Sequence, residues 1–456
     1  MLVGNHDVIF ALANSCIWQT APADNMGGIE AMTAAQDTMK SIPWWKEPTK
    51  DQWLAWWAAW LGWTLDAFDF TMFLLIMVPI SQEFHVPLTE VAFVLSVTLW
   101  LRLVGAVGSG WLADRVGRKI PLMISILWYS AANFAAGFSP TFAYLFLFRA
   151  LLGIGMGGEW PAGAALAMET WPVRSRGMMG GILQGSWGLG FMLSSAIYGL
   201  FYAYIGWRGM LWVGVLPALS VFYVRRFVKE PPIWLENRRR QREEQREVRA
   251  PLLSIFKPRL LGNTLTACLW MAGGFVAYYS VNALFATHLQ KDLHLAPGLV
   301  ATPIFFANLG LFLSTCGWGW WADRFGRRWA IIIPALIALP LAPLYLLSTD
   351  FLWIAVGFII QGMCAGGGMQ GQMVPYLNER FPTEIRATAS AFCYHQAAIW
   401  GGFVPLVLTL LSAHFGTSLA IMMILGTWIG CVAWATAAFY GPETKGTVLV
   451  ADLVVA

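Results

Sequence analysis

The chain has 456 residues, of which 58% are hydrophobic and only 12% are charged. A soluble protein of this size carries about a quarter charged residues, so the composition excludes an ordinary soluble domain and predicts an integral membrane protein. The net charge of +4 comes from basic residues confined to a few loops, which argues against a nucleic-acid partner. Six cysteines without a CxxC pair argue against a metal site, and no cofactor is expected.

The first 45 residues give the weakest signal. They lack the basic start and cleavage site of a signal peptide, so we expect a flexible cytoplasmic tail. A second interpretation is that the true start is Met26, Met32 or Met39. Tryptophans then mark the approach to a membrane interface. They are Trp44, Trp45, Trp53, Trp56, Trp57 and Trp60.

Twelve apolar segments follow, each near the roughly 20 residues that a helix needs to cross a bilayer. They are 55–79, 90–112, 120–138, 142–168, 178–203, 207–227, 260–288, 299–321, 329–348, 351–377, 388–412 and 417–440. We predict an all-α membrane protein with 12 transmembrane helices in two pseudo-symmetric six-helix bundles. The predicted domains are a cytoplasmic tail (1–50), a first bundle (51–228), a cytoplasmic central loop (229–258), a second bundle (259–441) and a cytoplasmic tail (442–456).

A ten-residue motif occurs after the second segment and again after the eighth. Residues 110–119 read GWLADRVGRK, and residues 319–328 read GWWADRFGRR, 209 positions later with seven identities. A second element, residues 169–177, aligns with residues 379–387 at a spacing of 210. Two matches at nearly one spacing indicate a duplication whose halves cross the membrane in the same sense.

The basic residues predict the orientation. They follow the second, fourth, eighth and tenth segments, whereas the opposite loops carry little beyond Arg208 and Lys291. Because cytoplasmic loops hold the excess of Lys and Arg, we predict that both termini face the cytoplasm. The expected location is the cell (inner) membrane, where the chain would be a multi-pass monomer.

Five acidic or arginine residues lie in the interior of predicted segments, away from the segment ends, where a charge is costly and usually functional. They are Asp66, Asp69, Arg102, Arg149 and Glu159. Asp66 and Asp69 stand three residues apart and therefore share one helix face. Each of the five could instead form a static ion pair between helices or extend its charge to the interface.

The positions one repeat later are apolar for three of these charges. The aligned residues are Leu311 for Arg102, Ile359 for Arg149 and Met369 for Glu159. A purely structural charge would be expected in both halves. We therefore predict a proton site in the first half, formed by Asp69, Arg149, Asp66 and Glu159, with polar substrate contacts completed by the second half.

Polar side chains within the segments are candidates for those substrate contacts. The set is Arg102, Arg149, Gln184, Tyr278, Tyr279, Asn282, Asn308, Gln370, Tyr394, His395 and Gln396. Any one of them could equally form a hydrogen bond between helices.

The repeated loop motif and the acidic-Pro-Arg element resemble those of the major facilitator superfamily, over roughly residues 50–445. Two further stretches, 63–69 (WTLDAFD) and 158–177, resemble the sialate:H⁺ symporter and metabolite:H⁺ symporter branches. The chain departs from these branches at Arg102, which precedes Leu103-Val-Gly105 instead of Pro-x-Gly or Trp-x-Gly.

The resemblance implies proton-coupled symport, in the uptake direction, of a small organic acid anion such as a monocarboxylate, a sialate-like acid or an aromatic acid. It implies alternating access, with Asp69 and Arg149 as the coupling pair. Gating loops would lock the outward-facing state. Their residues are Asp114, Arg115, Gly117, Arg118, Asp323, Arg324, Gly326, Arg327, Glu169, Arg176, Glu379 and Arg386.

No phosphate-binding loop and no hydrolase motif occurs in the sequence, so we expect a gradient-driven carrier and not an enzyme. The expected partners are an organic anion, protons and the lipid bilayer. Three alternatives remain open: a proton-coupled sugar or polyol symporter, a drug efflux antiporter, and a membrane receptor that transports nothing.

Overall fold

The computed structural model describes residues 43–291, 293–294, 297–451 and 453–455. The expectations for residues 1–42 therefore lie outside the described part of the chain. Residues up to 49 form a separate unit, and its described part contains a turn in which the Lys46 N–H donates to the Pro43 carbonyl. The rest, Lys50–Ala456, is a second unit.

Seventeen α-helices follow in order, and the described residues contain no β-strand. The first half has α1 Lys50–Phe84, α2 Leu88–Val116, α3 Lys119–Ala136, α4 Phe142–Gly157, α5 Glu159–Met168, α6 Arg176–Val213 and α7 Ser220–Phe227. The connecting segment has α8 Pro232–Glu243 and α9 Pro251–Ser254. The second half has α10 Pro258–Asn282, α11 Phe285–Lys291, α12 Pro297–Phe325, α13 Arg327–Leu346, α14 Phe351–Gln361, α15 Gly367–Arg380, α16 Arg386–Phe415 and α17 Leu419–Tyr440.

The predicted all-α class is confirmed, and each of the twelve predicted segments is largely helical. Among the described residues, nine helical stretches are long and apolar enough to cross a membrane. The three remaining predicted segments correspond to α3, to α12, and to the end of α6 together with α7. The fifth and sixth segments run on as one helix with a kink at Gly206, whose φ of 60° marks the break between them.

Helix starts show the duplication directly. Thr141 caps α4 by accepting a hydrogen bond from the Tyr144 N–H at 3.3 Å. Asp350, 209 positions later, caps α14 by accepting from the Leu352 N–H at 2.8 Å. Side-chain oxygens at this position satisfy N–H groups that the helix leaves free, and both repeats use the device at the same place.

The repeated glycines of the loop motif also have one conformation. Gly117 has φ 110° and ψ 164°, and Gly326 has φ 108° and ψ 153°. This region is essentially restricted to glycine. In each repeat the glycine also lies against a carboxylate, because an added Cβ would be 2.5 Å from Glu230 Oε1 or 2.7 Å from Glu443 Oε2.

Two helices that were predicted to be continuous are interrupted. The fourth predicted segment breaks at Gly158 into α4 and α5, and the tenth contains a π-helical turn, Gly362–Gly366, between α14 and α15. Glycines let α4 lie directly on α2, since a Cβ at Gly157 would be 2.0 Å from the Arg102 carbonyl oxygen. This close crossing sets the backbone of α2 at Arg102 against the end of α4.

Candidate functional site

A cavity opens between helices of the two halves. Its walls come from α1, α2 and α6 on one side and from α10, α15 and α16 on the other. The lining residues are Phe70, Leu99, Arg102, Gln184, Trp187, Phe275, Tyr278, Tyr279, Met369, Gln370, Met373, Tyr394, His395 and Ala398. The wall is thus mostly aromatic and apolar, and Arg102 is its one permanently charged member.

Arg102 is held in the wall by an ion pair. Its Nη2 donates to Oδ2 of Asp66, which is fully buried on α1. The guanidinium carbon lies 5.8 Å from the Trp187 ring centre and 6.0 Å from that of Phe70, within the range of cation–π attraction. Arg102 Nε and Asp66 Oδ1 have no hydrogen-bond partner, so the pair has capacity for another polar group.

The predicted coupling residues Asp69 and Arg149 are connected through an amide and not by a direct ion pair. Asn133 of α3 lies between them: its Nδ2 donates to Asp69 Oδ1 at 3.3 Å, and its Oδ1 accepts from Arg149 Nη1 at 3.2 Å. Gly214 leaves the space for this amide, since a Cβ there would be 1.9 Å from Asn133 Nδ2. The Arg149 guanidinium carbon instead lies 4.1 Å from the Phe73 ring centre.

Glu159, at the start of α5, is buried behind the cavity wall. A Cβ at Gly62 of α1 would be 2.5 Å from Glu159 Oε1, so glycine is what allows the carboxylate to approach this helix. The next residue, Trp160, stacks on Tyr394 with ring centres 4.2 Å apart and donates from Nε1 to Gln184 Oε1 at 2.9 Å. The start of α5 therefore links a buried acid to the cavity.

The predicted substrate contacts divide into two groups. Those that line the cavity are Arg102, Gln184, Tyr278, Tyr279, Gln370, Tyr394 and His395. Those outside its lining are Arg149, Asn282, Asn308 and Gln396.

The three amides outside the lining have partners elsewhere. Asn282 and Asn308 each donate to a carbonyl of their own helix, at 3.1 and 2.9 Å, and Gln396 donates to the carbonyls of Cys268 and Cys393 at 3.0 Å. Their hydrogen bonds fit helix stability and helix contact, which corrects the expectation that they face this cavity.

The predicted gating residues meet at one end of the helices, which we call the basic end because Arg118 and Arg327 lie there. Asp114 of α2 accepts hydrogen bonds from the N–H groups of Ala387 and Thr388 at 3.1 and 2.9 Å, and from the Thr388 hydroxyl at 2.6 Å. These donors belong to the first turn of α16, in the other half. A carboxylate is favourable at a helix N-terminus, where it meets free N–H groups.

The second repeat makes the reciprocal contact. Asp323 of α12 accepts from the N–H groups of Gly177 and Met178, at the start of α6, at 2.8 and 2.9 Å. Close approach needs small residues here, since a Cβ at Gly319 would be 2.5 Å from the Gly177 carbonyl oxygen. The two aspartates therefore join the halves through two matching helix starts.

Buried arginine–glutamate pairs extend both contacts. Arg118 binds Glu169 at 2.6 Å, and Arg386 of the other half reaches the same carboxylate at 2.9 Å. In the second repeat the corresponding pairs are Arg327 with Glu379 at 2.9 Å and Arg176 with Glu379 at 3.5 Å. We call Asp114, Asp323 and these four ion pairs the latch.

Arg115 and Arg324 lie outside the latch. Their guanidinium carbons lie over the rings of Trp111 and Trp320, at 4.5 and 4.0 Å. The expectation that both arginines are gating residues is therefore not met by the contacts of the latch. They directly follow Asp114 and Asp323, and neighbouring residues on a helix point in different directions.

Two glutamates that were not among the predicted site residues support the latch. Glu230 accepts from the N–H groups of Arg118 and Lys119 at 2.8 and 2.9 Å, and Glu443 accepts from those of Arg327 and Arg328 at 2.8 and 3.1 Å. Burial raises the pKa of the Glu230 carboxyl, against the opposing effect of the two N–H groups. The sequence does indicate that the two glutamates correspond, because each lies beside a proline soon after the last helix of its half.

The aromatic partners Trp160, Trp187 and Phe70 and the bridging Asn133 were missed as site residues as well. Large apolar residues within apolar segments do not reveal which of them face a cavity, and a single Asn is usually a helix–helix contact.

The chain matches the family model described as Major Facilitator Superfamily over residues 59–313 and 272–451. It belongs to the Major Facilitator Superfamily. This membership agrees with the predicted fold of two pseudo-symmetric six-helix bundles and makes the chain a multi-pass membrane transporter.

Several relatives of this chain are named as transporters of organic acids or related metabolites. A probable 4-methylmuconolactone transporter of Cupriavidus pinatubonensis is 31% identical, over 88% of this chain and 93% of its own length. A sialic acid transporter of Escherichia coli is 25% identical, over 84% of this chain and 92% of its own length. A cis,cis-muconate transport protein of Acinetobacter baylyi is 26% identical, over 82% of this chain and 91% of its own length.

A solved structure confirms the facilitator fold. The proton:xylose symporter bound to 6-bromo-6-deoxy-D-glucose superposes with a TM-score of 0.69, over 88% of this chain and 98% of that chain. The sequence identity of 18% limits this likeness to the fold.

Proposed function

We propose that this facilitator is a proton-coupled symporter that takes up a small organic acid anion by alternating access. The observation that carries the proposal is the Arg102–Asp66 ion pair in the wall of an aromatic cavity. A guanidinium offers bidentate binding to a carboxylate, and it is the group that an anionic substrate entering this cavity would contact. The names of the relatives above support an organic acid as cargo.

Proton coupling follows because Asp66 and the substrate carboxylate compete for the guanidinium of Arg102. In the empty cavity Asp66 is the anion that balances Arg102. When a substrate carboxylate binds Arg102, the negative charge of the buried Asp66 is balanced less well. Asp66 therefore takes up a proton from the outside solution. One proton then accompanies one carboxylate, and the cavity has the same net charge whether empty or loaded. The carrier can reorient in both of these states.

The latch gives the direction of this movement. We place the basic end in the cytoplasm, as the Lys and Arg bias predicts, with both termini on that side of an inner membrane. The latch then closes the cytoplasmic side, so the present conformation belongs to the part of the cycle that is closed to the cell interior. Release of substrate requires that Asp114 and Asp323 leave the two helix starts.

Asp69, Asn133 and Arg149 form a second charged group behind this site. Because Asn133 separates the acid from the arginine, we assign the exchange with substrate to Asp66 and Arg102, and keep Asp69 and Arg149 as coupling residues that act through the amide. Glu159, at the start of α5, is a further buried acid of the first half.

The test is the external pH of lightly buffered, de-energised cells that express the protein. Addition of a transported acid is expected to make the medium more alkaline, because each anion enters with a proton. Lactate, pyruvate, sialate and benzoate are compared with the neutral sugar xylose. The Asp66→Asn variant is expected to lose alkalinisation, whereas Asp51→Asn, which changes an exposed ion pair with Lys229, is expected to keep it.

The outcomes separate the alternatives. Alkalinisation with xylose alone would replace this proposal by sugar symport. Alkalinisation of the medium on efflux of a preloaded dye would indicate an antiporter, because each exported molecule is exchanged for an entering proton. Binding without flux would indicate a receptor. An acid that enters without any pH change in the wild type would exclude proton coupling.

A further inference from the structure

His395 of α16 has an unused hydrogen-bonding atom in the cavity. The ring is buried, lines the cavity and places Nδ1 3.1 Å from the Ala391 carbonyl oxygen one turn earlier. A carbonyl oxygen only accepts, so Nδ1 carries the ring proton in this contact. Nε2 is then a lone-pair acceptor, and it has no partner among the described residues.

The ring is fixed in this orientation. Tyr394 and Trp160 lie against it with ring centres 4.8 and 6.3 Å away, at steep interplanar angles of 67° and 77°. The structure gives His395 no ion pair with a carboxylate among the described residues, and a second ring proton would add a buried cation beside Arg102. The neutral ring therefore presents an acceptor.

A structural role alone leaves this acceptor unexplained. The bond from Nδ1 to Ala391 already anchors the side chain, and leaving a buried acceptor without a donor is unfavourable. A partner from the cavity would remove that cost. Gln370, on α15, also lines the cavity and has an Oε1 atom without a partner. The cavity thus offers one cation and two acceptors between aromatic walls.

We propose that His395 is a specificity residue that selects acids carrying a hydrogen-bond donor, a hydroxyl or N–H group, away from the carboxylate. This inference rests on the proposed function, since it places the carboxylate on Arg102. The donor of the substrate bonds to His395 Nε2, with Gln370 as a second acceptor, while the skeleton lies among Phe70, Trp187 and Tyr394. A planar or cyclic skeleton suits walls of this kind.

The experiment measures the affinity of benzoate, 3-hydroxybenzoate, 4-hydroxybenzoate and 4-methoxybenzoate for the full-length protein in lipid nanodiscs, by isothermal titration calorimetry. The two hydroxylated acids cover two distances from the carboxylate, and the methoxy acid offers an acceptor in place of a donor. For the wild type, at least one hydroxybenzoate is expected to bind about 2–10-fold more tightly than benzoate, the value of one net neutral hydrogen bond. The methoxy acid is expected to gain nothing.

Three variants define the role of the ring. His395→Phe keeps an aromatic ring but removes the acceptor, so the ratio of hydroxybenzoate to benzoate affinity is expected to fall to about 1. His395→Gln keeps an oxygen acceptor and is expected to retain part of the preference. His414→Phe changes an exposed histidine of the same helix and is expected to keep the wild-type ratio. Because a ratio is compared, a general loss of folding lowers both affinities and leaves it unchanged.

Failure of the His395 inference can be distinguished from failure of the proposed function. If the wild type binds acids but does not prefer the hydroxylated ones, or if His395→Phe keeps the preference, the role of His395 is disproved and the proposed function stands. If none of the four acids and none of the acids of the pH experiment binds, the proposed function fails, and the specificity inference fails with it.

Discussion

The two halves of this transporter match at the basic end and differ in the interior. At the basic end, Asp114 and Asp323 make reciprocal contacts with the helix start of the opposite half, and glutamates bind the arginines of both repeats. The contacts differ only in detail, such as the extra hydroxyl donor of Thr388. A contact between two similar halves requires a surface on each of them, and the latch supplies one from each repeat.

The interior has no such match. The buried charges Asp66, Asp69, Arg102, Arg149 and Glu159 all belong to the first half. Three of them align with apolar residues of the second half: Leu311, Ile359 and Met369. The second half supplies aromatic, amide and imidazole groups to the cavity instead. In the proposed mechanism, the repeated groups serve a movement that both halves share, and the unrepeated groups take part in chemistry that takes place once.

The largest effect is expected from breaking the unrepeated interior at Arg102. Arg102→Ala leaves Asp66 buried without its cation, a change that costs about 3–5 kcal/mol, and removes the proposed carboxylate anchor. Uptake is expected to fall by about 100-fold or more, since 1.4 kcal/mol corresponds to a factor of 10. Initial uptake of the acid identified by alkalinisation and thermal unfolding in detergent are measured together.

The double variant Arg102→Met with Asp66→Leu separates folding from transport. It removes both charges, and replacing a buried pair by apolar groups is often neutral for stability. We expect unfolding at a temperature close to that of the wild type and no recovery of uptake. Recovery of uptake by the double variant would show that the pair is only structural.

The latch should show a graded effect in its two repeats. Asp114→Asn weakens contacts with two N–H groups, one hydroxyl and Arg118, whereas Asp323→Asn weakens contacts with two N–H groups and Arg327. Hydrogen bonds to charged groups contribute about 1.5–3 kcal/mol, and the asparagine oxygen keeps part of each. We expect the closed state to lose about 10-fold in population for Asp114→Asn and about 3-fold for Asp323→Asn.

The measurement is the rate at which a membrane-impermeant thiol reagent labels Ala398→Cys, in the cavity wall, in inverted vesicles of a chain whose native cysteines are serines. Faster labelling reports opening at the basic end. Asp51→Asn serves as the control. An unchanged rate in both latch variants, or a larger effect for Asp323→Asn, would contradict the comparison of the two repeats.

Substitution of the turn glycines is expected to lower stability and not to change the balance between closed and open states. Gly117→Ala and Gly326→Ala force a side chain into the glycine-only region and towards Glu230 or Glu443, which we expect to cost about 1–3 kcal/mol in each half. Gly108→Ala and Gly317→Ala are matched controls, because they lie 209 positions apart in α2 and α12 with nothing within 4 Å of an added Cβ. Thermal unfolding of all four is compared, and equal losses in the controls would show that the turn geometry is not the cause.

The residues of the latch can be recognised in the sequence because they occur twice. The spacings of 209 and 210 relate Asp114 and Glu169 to their counterparts in the second repeat. The contacts between the buried charges of the interior are harder to predict. The spacing of Asp66 and Asp69 gives a shared helix face, but which arginine each one meets depends on the rotation of α1 against α2, α3 and α4. Asn133 shows the limit, because an amide inside an apolar segment does not reveal the two charges that it separates.

The smallest effect is expected at Asn308, whose orientation within an apolar segment also cannot be read from the sequence. Asn308 was predicted to contact substrate, yet its Nδ2 donates to the Ile304 carbonyl at 2.9 Å and the residue lies outside the cavity lining. Asn308→Ala is therefore expected to change the affinity for a transported acid by less than about 2-fold, whereas Gln370→Ala, in the lining, should reduce it by about 2–10-fold. Calorimetry on both variants measures the difference. A loss of affinity in Asn308→Ala as large as that in Gln370→Ala would mean that substrate reaches α12 beyond the present cavity, and that the second half contributes more of the binding surface than this conformation exposes.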